Sequence, residues 1–414
     1  MALSELRDLP VSSWTNWVGN QSFAPSSIAA PRDEEEVAAL VKQAAERGIG
    51  VRVAGAGHSF TPVVQTDGLL LDLSALTGVV HTDATNKRAT ALAATRIRDF
   101  YEPLWEAGLA LRNQGDIDTQ QIAGAVATGT HGSGTRCTSL SGVVRGMRLV
   151  TATGELRDIG EDDLDLLHAA QVSVGMLGVV TRLDLEVTSA YRLREEVGLR
   201  SWDDVMEHWD ELVSQHRHFG FFWLPTEESG ALYNLDGHGE RLTDQCYVKV
   251  YDEVGPDVPD DDTTGRRVDR CYRIFPMVYD PNFHELEYFV ALERAPEALR
   301  SMRELMLASL PDAIYPLEVR TVGADDAFLS SQYGTDTVVI SVSGTPGTDY
   351  WGYLRSVDAL LADFGARVHW GKLHFLTAER LRELYPRAED FIALRRELDP
   401  QGMFLNDHLR PLFT

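Results

Sequence analysis

Two glycine-rich segments constrain this chain more than any other feature: Ala54-Gly-Ala-Gly-His-Ser-Phe60 and Ala123-Gly-Ala-Val-Ala-Thr-Gly-Thr-His-Gly-Ser-Gly134. Glycines let a backbone come close to a ligand, and the hydroxyls and exposed N–H groups among them are suited to holding a diphosphate. Two tight turns without a ligand are the plainer alternative. Neither segment reads GxxxxGK(S/T), which disfavours a nucleoside triphosphatase, and neither completes GxGxxG, because Phe60 stands where the third glycine belongs. His58 lies inside the first turn. A neutral imidazole held there is a nucleophile that a bound cofactor can meet, although most lone histidines serve structure.

Charge narrows the partners. With 63 Asp and Glu against 38 Lys and Arg, the net charge of −25 repels a phosphate backbone or an anionic lipid surface, so neither nucleic acid nor membrane is expected. Cys137, Cys246 and Cys271 are too few for a disulfide framework, and no two stand at CxxC spacing. A reducing compartment and no bound metal follow as expectations. The first residues, Met-Ala-Leu-Ser-Glu-Leu-Arg-Asp, show no basic segment before an apolar stretch, and no run approaches the roughly 18 apolar residues of a membrane span. A cytoplasmic protein is expected.

At 414 residues the chain exceeds what one core usually organises, which predicts two domains. From Asp33 to Gly48, Val37, Leu40, Val41 and Ala44 form one helical stripe closed by a glycine. Ile49-Gly-Val-Arg-Val-Ala54 and Leu69-Leu-Leu-Asp-Leu73 read as strands, Arg96 to Gly108 as a helix kinked at Pro103, and Val143 to Ile159 as a hairpin. After about residue 185 the pattern changes to aromatic-rich strands, such as Phe219-Gly-Phe-Phe-Trp-Leu224 and Tyr288-Phe-Val-Ala-Leu292, separated by helices such as Asp203 to Val213. That layout predicts an α+β second domain. Asp252 to Arg267, with its acidic run, reads as an exposed loop.

Five motifs occur in order: Gly-Ala-Gly-His-Ser-Phe60, the Ala123–Gly134 segment, Gly175-Met-Leu-Gly-Val-Val-Thr181, Glu318-Val-Arg320 and His369-Trp-Gly-Lys372. Together they resemble the vanillyl-alcohol-oxidase flavoprotein superfamily, in its aldonolactone oxidoreductase and alditol oxidase branch, over nearly the whole chain. The resemblance implies a two-domain α+β protein. Its FAD-binding domain spans residues 1–185 and is completed by a C-terminal return at about 376–414, where Phe404-Leu-Asn-Asp407 matches a returning strand; a cap domain spans 186–375. It also implies FAD joined covalently through His58. The FAD cradle carried over is Ala54, Gly55, Ala56, Gly57 and Ser59; Gly115 and Asp116; Thr128, Gly129, His131, Gly132 and Ser133; and Ser173, Gly178 and Val179.

The catalytic candidates also have a physical reading. On a strand from Leu317 to Thr321, Glu318 and Arg320 share a face; on another from Val368 to Leu373, Lys372 shares one with Trp370 and His374. An exposed ion pair is the plainer reading of Glu318 and Arg320. Hydride transfer from an alcohol carbon to flavin favours a site that stabilises alkoxide and anionic reduced flavin, a role suited to Lys372 and Arg320. Glu318, and more weakly Glu287, are suited to orienting substrate hydroxyls, and His369 to either structure or support. Alditol oxidases carry a serine where this chain has Asp116 in Asn113-Gln-Gly-Asp-Ile-Asp118, and a histidine after Asp-Thr-Val where this chain runs on through Val339 and Ile340 to Ser341. These departures point to a sugar 1,4-lactone, of the D-arabinono- or L-gulono- type, as substrate. An alditol or a sugar derivative such as a nucleoside is the alternative, and a flavin-carrying electron-transfer protein is the alternative of another class. Gly115, where relatives commonly carry alanine or glycine, implies room for dioxygen and hence an oxidase releasing hydrogen peroxide.

Overall fold

A computed structural model describes residues 13–235, 237 and 239–414. The opening residues read above for a leader lie outside them. Near the N-terminus a parallel three-stranded sheet runs in the order Ser27–Ala29, Leu69–Asp72, Val51–Ala54. The helix Glu34–Glu46 starts where the Asp33 side chain accepts from Glu36 N at 2.8 Å, and Gly48 at φ +64° lets the chain leave it. Its buried Val37, Leu40, Val41 and Ala44 share a core with Leu69, Leu71, Val150, Val179 and Phe404. Each such valine or leucine contributes about 1.5–3 kcal/mol on full burial. An antiparallel five-stranded sheet stands beside it, in the order Leu156–Gly160, Val144–Val150, Val179–Glu186, Arg88–Leu92, Val79–Asp83.

The chain from Arg192 onward forms a nine-stranded antiparallel sheet. Its central strands run His218–Leu224, Leu317–Val322, Thr337–Gly344 and His284–Ala291. The helices Ala295–Ala308 and Trp351–Ala362 pack against it. Glu318 faces Ser341 across one strand pair and Ser341 faces Glu287 across the next. Period-two alternation therefore puts several polar side chains on one patch of an otherwise apolar sheet.

Five local readings need correction. Asp252 to Arg267 is not a loop: the strand Gln245–Val254 runs into it, and Asp261–Thr263 pairs with Arg266–Arg270 through the two-residue turn Thr264-Gly265, with Gly265 at φ +75°. Asp261 and Asp262 of the acidic run sit on that edge strand. Beyond Arg367–Val368 the chain turns, Lys372 N donating to His369 O at 3.0 Å, so Trp370 and Lys372 do not share a strand face. Trp370 packs on Tyr385 and Phe413, while Lys372 pairs with Glu285. The Phe404 region forms turns, because the Asp399 carboxylate takes the N–H groups of Met403 and Phe404 at 2.9 Å each. It still returns to the first sheet, where Val51 N donates to Met403 O at 2.9 Å. Pro103 sits in the first turn of a helix that begins at Tyr101, after a short Ile97–Phe100 turn, so it kinks nothing. The expected helix from Asp203 to Val213 is likewise two helices meeting at His208.

Candidate active site

Two adjoining cavities share His58, Ser59, Gln120 and Thr128. The larger, with about 1060 Å³ of empty space, follows the first glycine turn, the Gln120–Thr128 segment and the Ser173–Gly178 segment, and Phe404 closes it. The smaller, about 780 Å³, brings Glu285, Glu287, Glu318, Arg320 and Lys372 together with aromatic rings of Trp17, Tyr233, Tyr279 and Phe283.

The turn that carries His58 is built from both sides. Gly57 at φ +75° has its carbonyl taken by Trp17 N at 2.9 Å, and Asn16 Nδ2 donates to Ser59 O at 2.9 Å. Asn20 and Gln21 both donate to Phe60 O, at 2.9 and 3.0 Å. Burial, helped by the charge of Lys372, lowers the His58 pKa to about 4, so the ring is neutral near pH 7. Its Nε2 lies 3.0 Å from Thr119 Oγ1, and its buried Nδ1 has no hydrogen-bond partner among the described residues.

In the smaller cavity, charges are paired and few are spare. Asp116 Oδ2 accepts from Arg320 at 2.6 Å and from Tyr279 at 2.8 Å, and Arg320 also pairs with Glu318. Burial pushes the Glu318 carboxyl up to about 7; Arg320 opposes this, while Asp116, Glu285 and Glu287 add to it. Lys372 pairs with Glu285, which holds the ammonium pKa above its usual value against the cost of burial. Ser341 Oγ donates to Glu285 Oε1 at 2.5 Å, so the serine steadies that carboxylate. His131 Nε2 stands 3.1 Å from Glu287 Oε1, with His369 Nε2 at 3.9 Å from the same oxygen.

His131, Glu287 and His369 bring potential ligand atoms within 4.8 Å of one another. Gly371 N, however, donates to His369 Nδ1 at 3.0 Å, which places the ring proton on Nε2 and leaves no lone pair there for a metal. Within the cluster, His131 and Glu287 are in hydrogen-bond contact, and His369 stands beside that pair.

Of the residues expected from sequence, Gly55, Ala56, Gly57, Ser173 and Gly178 line the larger cavity, and Gly115, Asp116 and His131 line the smaller. Glu287, Glu318, Arg320, His369 and Lys372 line the smaller cavity too. Ala54, Gly129, Val179 and Ser341 line neither cavity. Gly132 and Ser133 lie behind the smaller one, where a Cβ on Gly132 would stand 2.2 Å from Gln114 O. Sequence reasoning missed Glu285, Tyr279, Thr119 and Arg52. Glu285 was legible, since it alternates with Glu287 in His284-Glu-Leu-Glu-Tyr288. Arg52 was not: it reaches Val63 O, Val174 O and Phe404 O at 2.9, 2.7 and 2.6 Å and ties three distant segments around the larger cavity.

The site defines a flavoprotein oxidoreductase, and comparison with known proteins agrees. An FAD binding domain family matches residues 25–160, and the D-arabinono-1,4-lactone oxidase family matches residues 260–412. L-gulono-1,4-lactone dehydrogenase of Mycobacterium tuberculosis is 36% identical over 96% of this chain and 98% of its own. Alditol oxidase of a Streptomyces species is 30% identical over 96% and 98%, and L-gulonolactone oxidase of Bos taurus 26% over 96% and 97%. Cholesterol oxidase from B. sterolicum shares the fold, with a TM-score of 0.85 at 14% identity over 100% of this chain and 98% of that one. The chain is therefore an FAD-dependent oxidoreductase acting on CH–OH donors. It belongs to the aldonolactone oxidoreductase branch of the vanillyl-alcohol-oxidase flavoprotein family.

The residues present fit FAD. Gly178 lines the larger cavity at φ +149°, and a Cβ there would come within 2.6 Å of Val150 O, so only glycine keeps that wall in place. The unpartnered His58 Nδ1 lies at the junction with the polar cavity. Among the described residues no helix is long and apolar enough to cross a membrane.

Proposed function

We propose that this chain oxidises a hydroxyl of a sugar 1,4-lactone, with FAD held covalently through His58 and dioxygen as the acceptor, in the cytoplasm. In this reading residues 1–185 with 376–414 hold the cofactor and 186–375 cover it. The carrying observation is the convergence of Glu318, Arg320 and Glu285, from the later sheet, and Lys372, from the turn after Arg367–Val368, on the cavity that also receives His58. A flavin-carrying electron-transfer protein has no use for four such groups in one pocket. The names of the relatives, lactone dehydrogenase and oxidases among them, support the substrate class.

FAD supplies the hydride acceptor. The protein does the rest. Glu318, poised near neutrality, accepts a hydroxyl proton from the substrate, and Arg320 and Lys372 hold the oxygen as its negative charge develops. The aromatic side chains Trp17, Tyr233, Tyr279 and Phe283 exclude water and offer flat faces to the C–H side of a sugar ring. A cyclic lactone presents such a face, and an extended alditol does not. Gly115, bordering the polar cavity, leaves space for dioxygen.

Anaerobic flavin reduction by a panel of 1,4-lactones, alditols and nucleosides tests the reading. Fastest reduction by a lactone is expected. Reduction by alditols alone would replace the substrate, and none by any CH–OH compound would remove the catalytic assignment.

A further inference from the structure

We infer that Thr119 is a positioning residue for flavin attachment: through its contact with Nε2 it holds His58 in the tautomer whose Nδ1 keeps a free lone pair. This rests on the reading that His58 is the covalent anchor. Thr119 stands outside both glycine segments, yet its Oγ1 lies 3.0 Å from His58 Nε2. A neutral imidazole carries one N–H and one lone pair. With the proton on Nδ1, that nitrogen would be a buried donor without an acceptor, an arrangement rarer and costlier than a bare lone pair. With the proton on Nε2, the donor is satisfied by Thr119 and the nucleophilic electrons remain on Nδ1.

The ring is also kept from turning to exchange its nitrogens. Trp17 packs against it with ring centroids 5.0 Å apart. The clamp of Asn16, Asn20 and Gln21 on the carbonyls of Ser59 and Phe60 fixes the backbone that carries it. Tautomer and orientation are therefore set by different neighbours, Thr119 for the first and the segment from Asn16 to Gln21 for the second.

The attachment step balances as follows. Nδ1 forms a bond to the flavin 8α carbon, which loses one hydrogen as a proton, while the imidazole releases its Nε2 proton toward Thr119. The electron pair of the broken C–H bond passes into the flavin ring, which becomes two-electron reduced. Dioxygen then takes that pair and two protons as hydrogen peroxide, restoring oxidised flavin, now bonded to histidine.

Full-length protein from riboflavin-starved cells is mixed with FAD, and acid-precipitable flavin fluorescence is followed over time in wild type, Thr119→Val, Thr119→Ser and His58→Ala. Thr119→Val should incorporate flavin about tenfold more slowly, the loss of one hydrogen bond's worth of orientation, while binding FAD as tightly before attachment. Thr119→Ser should restore the wild-type rate. Equal rates in Thr119→Val and wild type would overturn the role of Thr119 and leave the anchor standing, whereas acid-stable flavin in His58→Ala would overturn the anchor itself. NMR of the wild-type flavin peptide is independent of any variant's folding: a bond through Nδ1 supports the inference, and a bond through Nε2 overturns it.

Discussion

Arg320 donates from Nη2 to Asp116 Oδ2 at 2.6 Å, across 204 positions of the chain, and the same nitrogen pairs with Glu318. One guanidinium thus serves the buried Glu318 carboxylate and the half-buried Asp116 carboxylate, and Asp116 acts on Glu318 both by competing for that charge and by its own negative charge. Asp116→Asn removes both effects, so Glu318 should ionise at lower pH. Flavin reduction, which should rise through about pH 7 as Glu318 loses its proton, should rise on the order of one pH unit earlier in the variant. A limb that stays put or moves upward would separate Glu318 from proton transfer.

Lys372→Met keeps the length and apolar stem of the side chain and removes the ammonium that Glu285 holds charged. If that charge stabilises developing alkoxide, the rate of flavin reduction should fall on the order of 10²-fold, as for loss of one preorganised donor. A raised KM with an unchanged reduction rate would confine Lys372 to substrate binding.

His218 is fully buried, contacts Ser133 O through Nδ1 at 2.7 Å, and has its pKa lowered to about 3 by burial and then by Arg217. In the unfolded chain the ring titrates near 6.5. Its folded value is depressed, so below pH 6.5 the unfolded state binds the extra proton and stability falls as pH drops toward 3, whereas above 6.5 this contribution is intact. His218→Gln should flatten the acid slope of the unfolding free energy, measured by urea titration, by up to about 1.4 kcal/mol per pH unit. An identical slope in the variant would show that His218 is protonated in the native state.

At Gly115 an added Cβ would lie 3.0 Å from His131 O and 3.6 Å from Thr130 Cγ2, so alanine fits only with a small shift of that segment of the cavity wall. Gly115→Ala should slow reoxidation of substrate-reduced enzyme by dioxygen in stopped flow while leaving flavin reduction near wild type. Slow reoxidation of the wild-type protein would point to another acceptor, and equal rates in both proteins would remove Gly115 as the gate.

What the sequence determined by itself is local. Backbone turns need particular residues, so the segments around His58 and His131 announced themselves through glycine. Alternation with period two placed Glu318 and Arg320 on one strand face before any strand was seen. Local pattern failed where partners outweighed it: Asp399 holds the N–H groups of Met403 and Phe404 and denies them a strand, and a two-residue turn made a hairpin of the polar stretch before Arg267. Only the tertiary structure decided that Thr119 meets His58, that Glu285 meets Lys372 and that Asp116 meets Arg320. Those pairs join segments far apart along the chain, and their identities are set by how two sheets close over a shared cavity, a relation that no periodicity within either segment encodes.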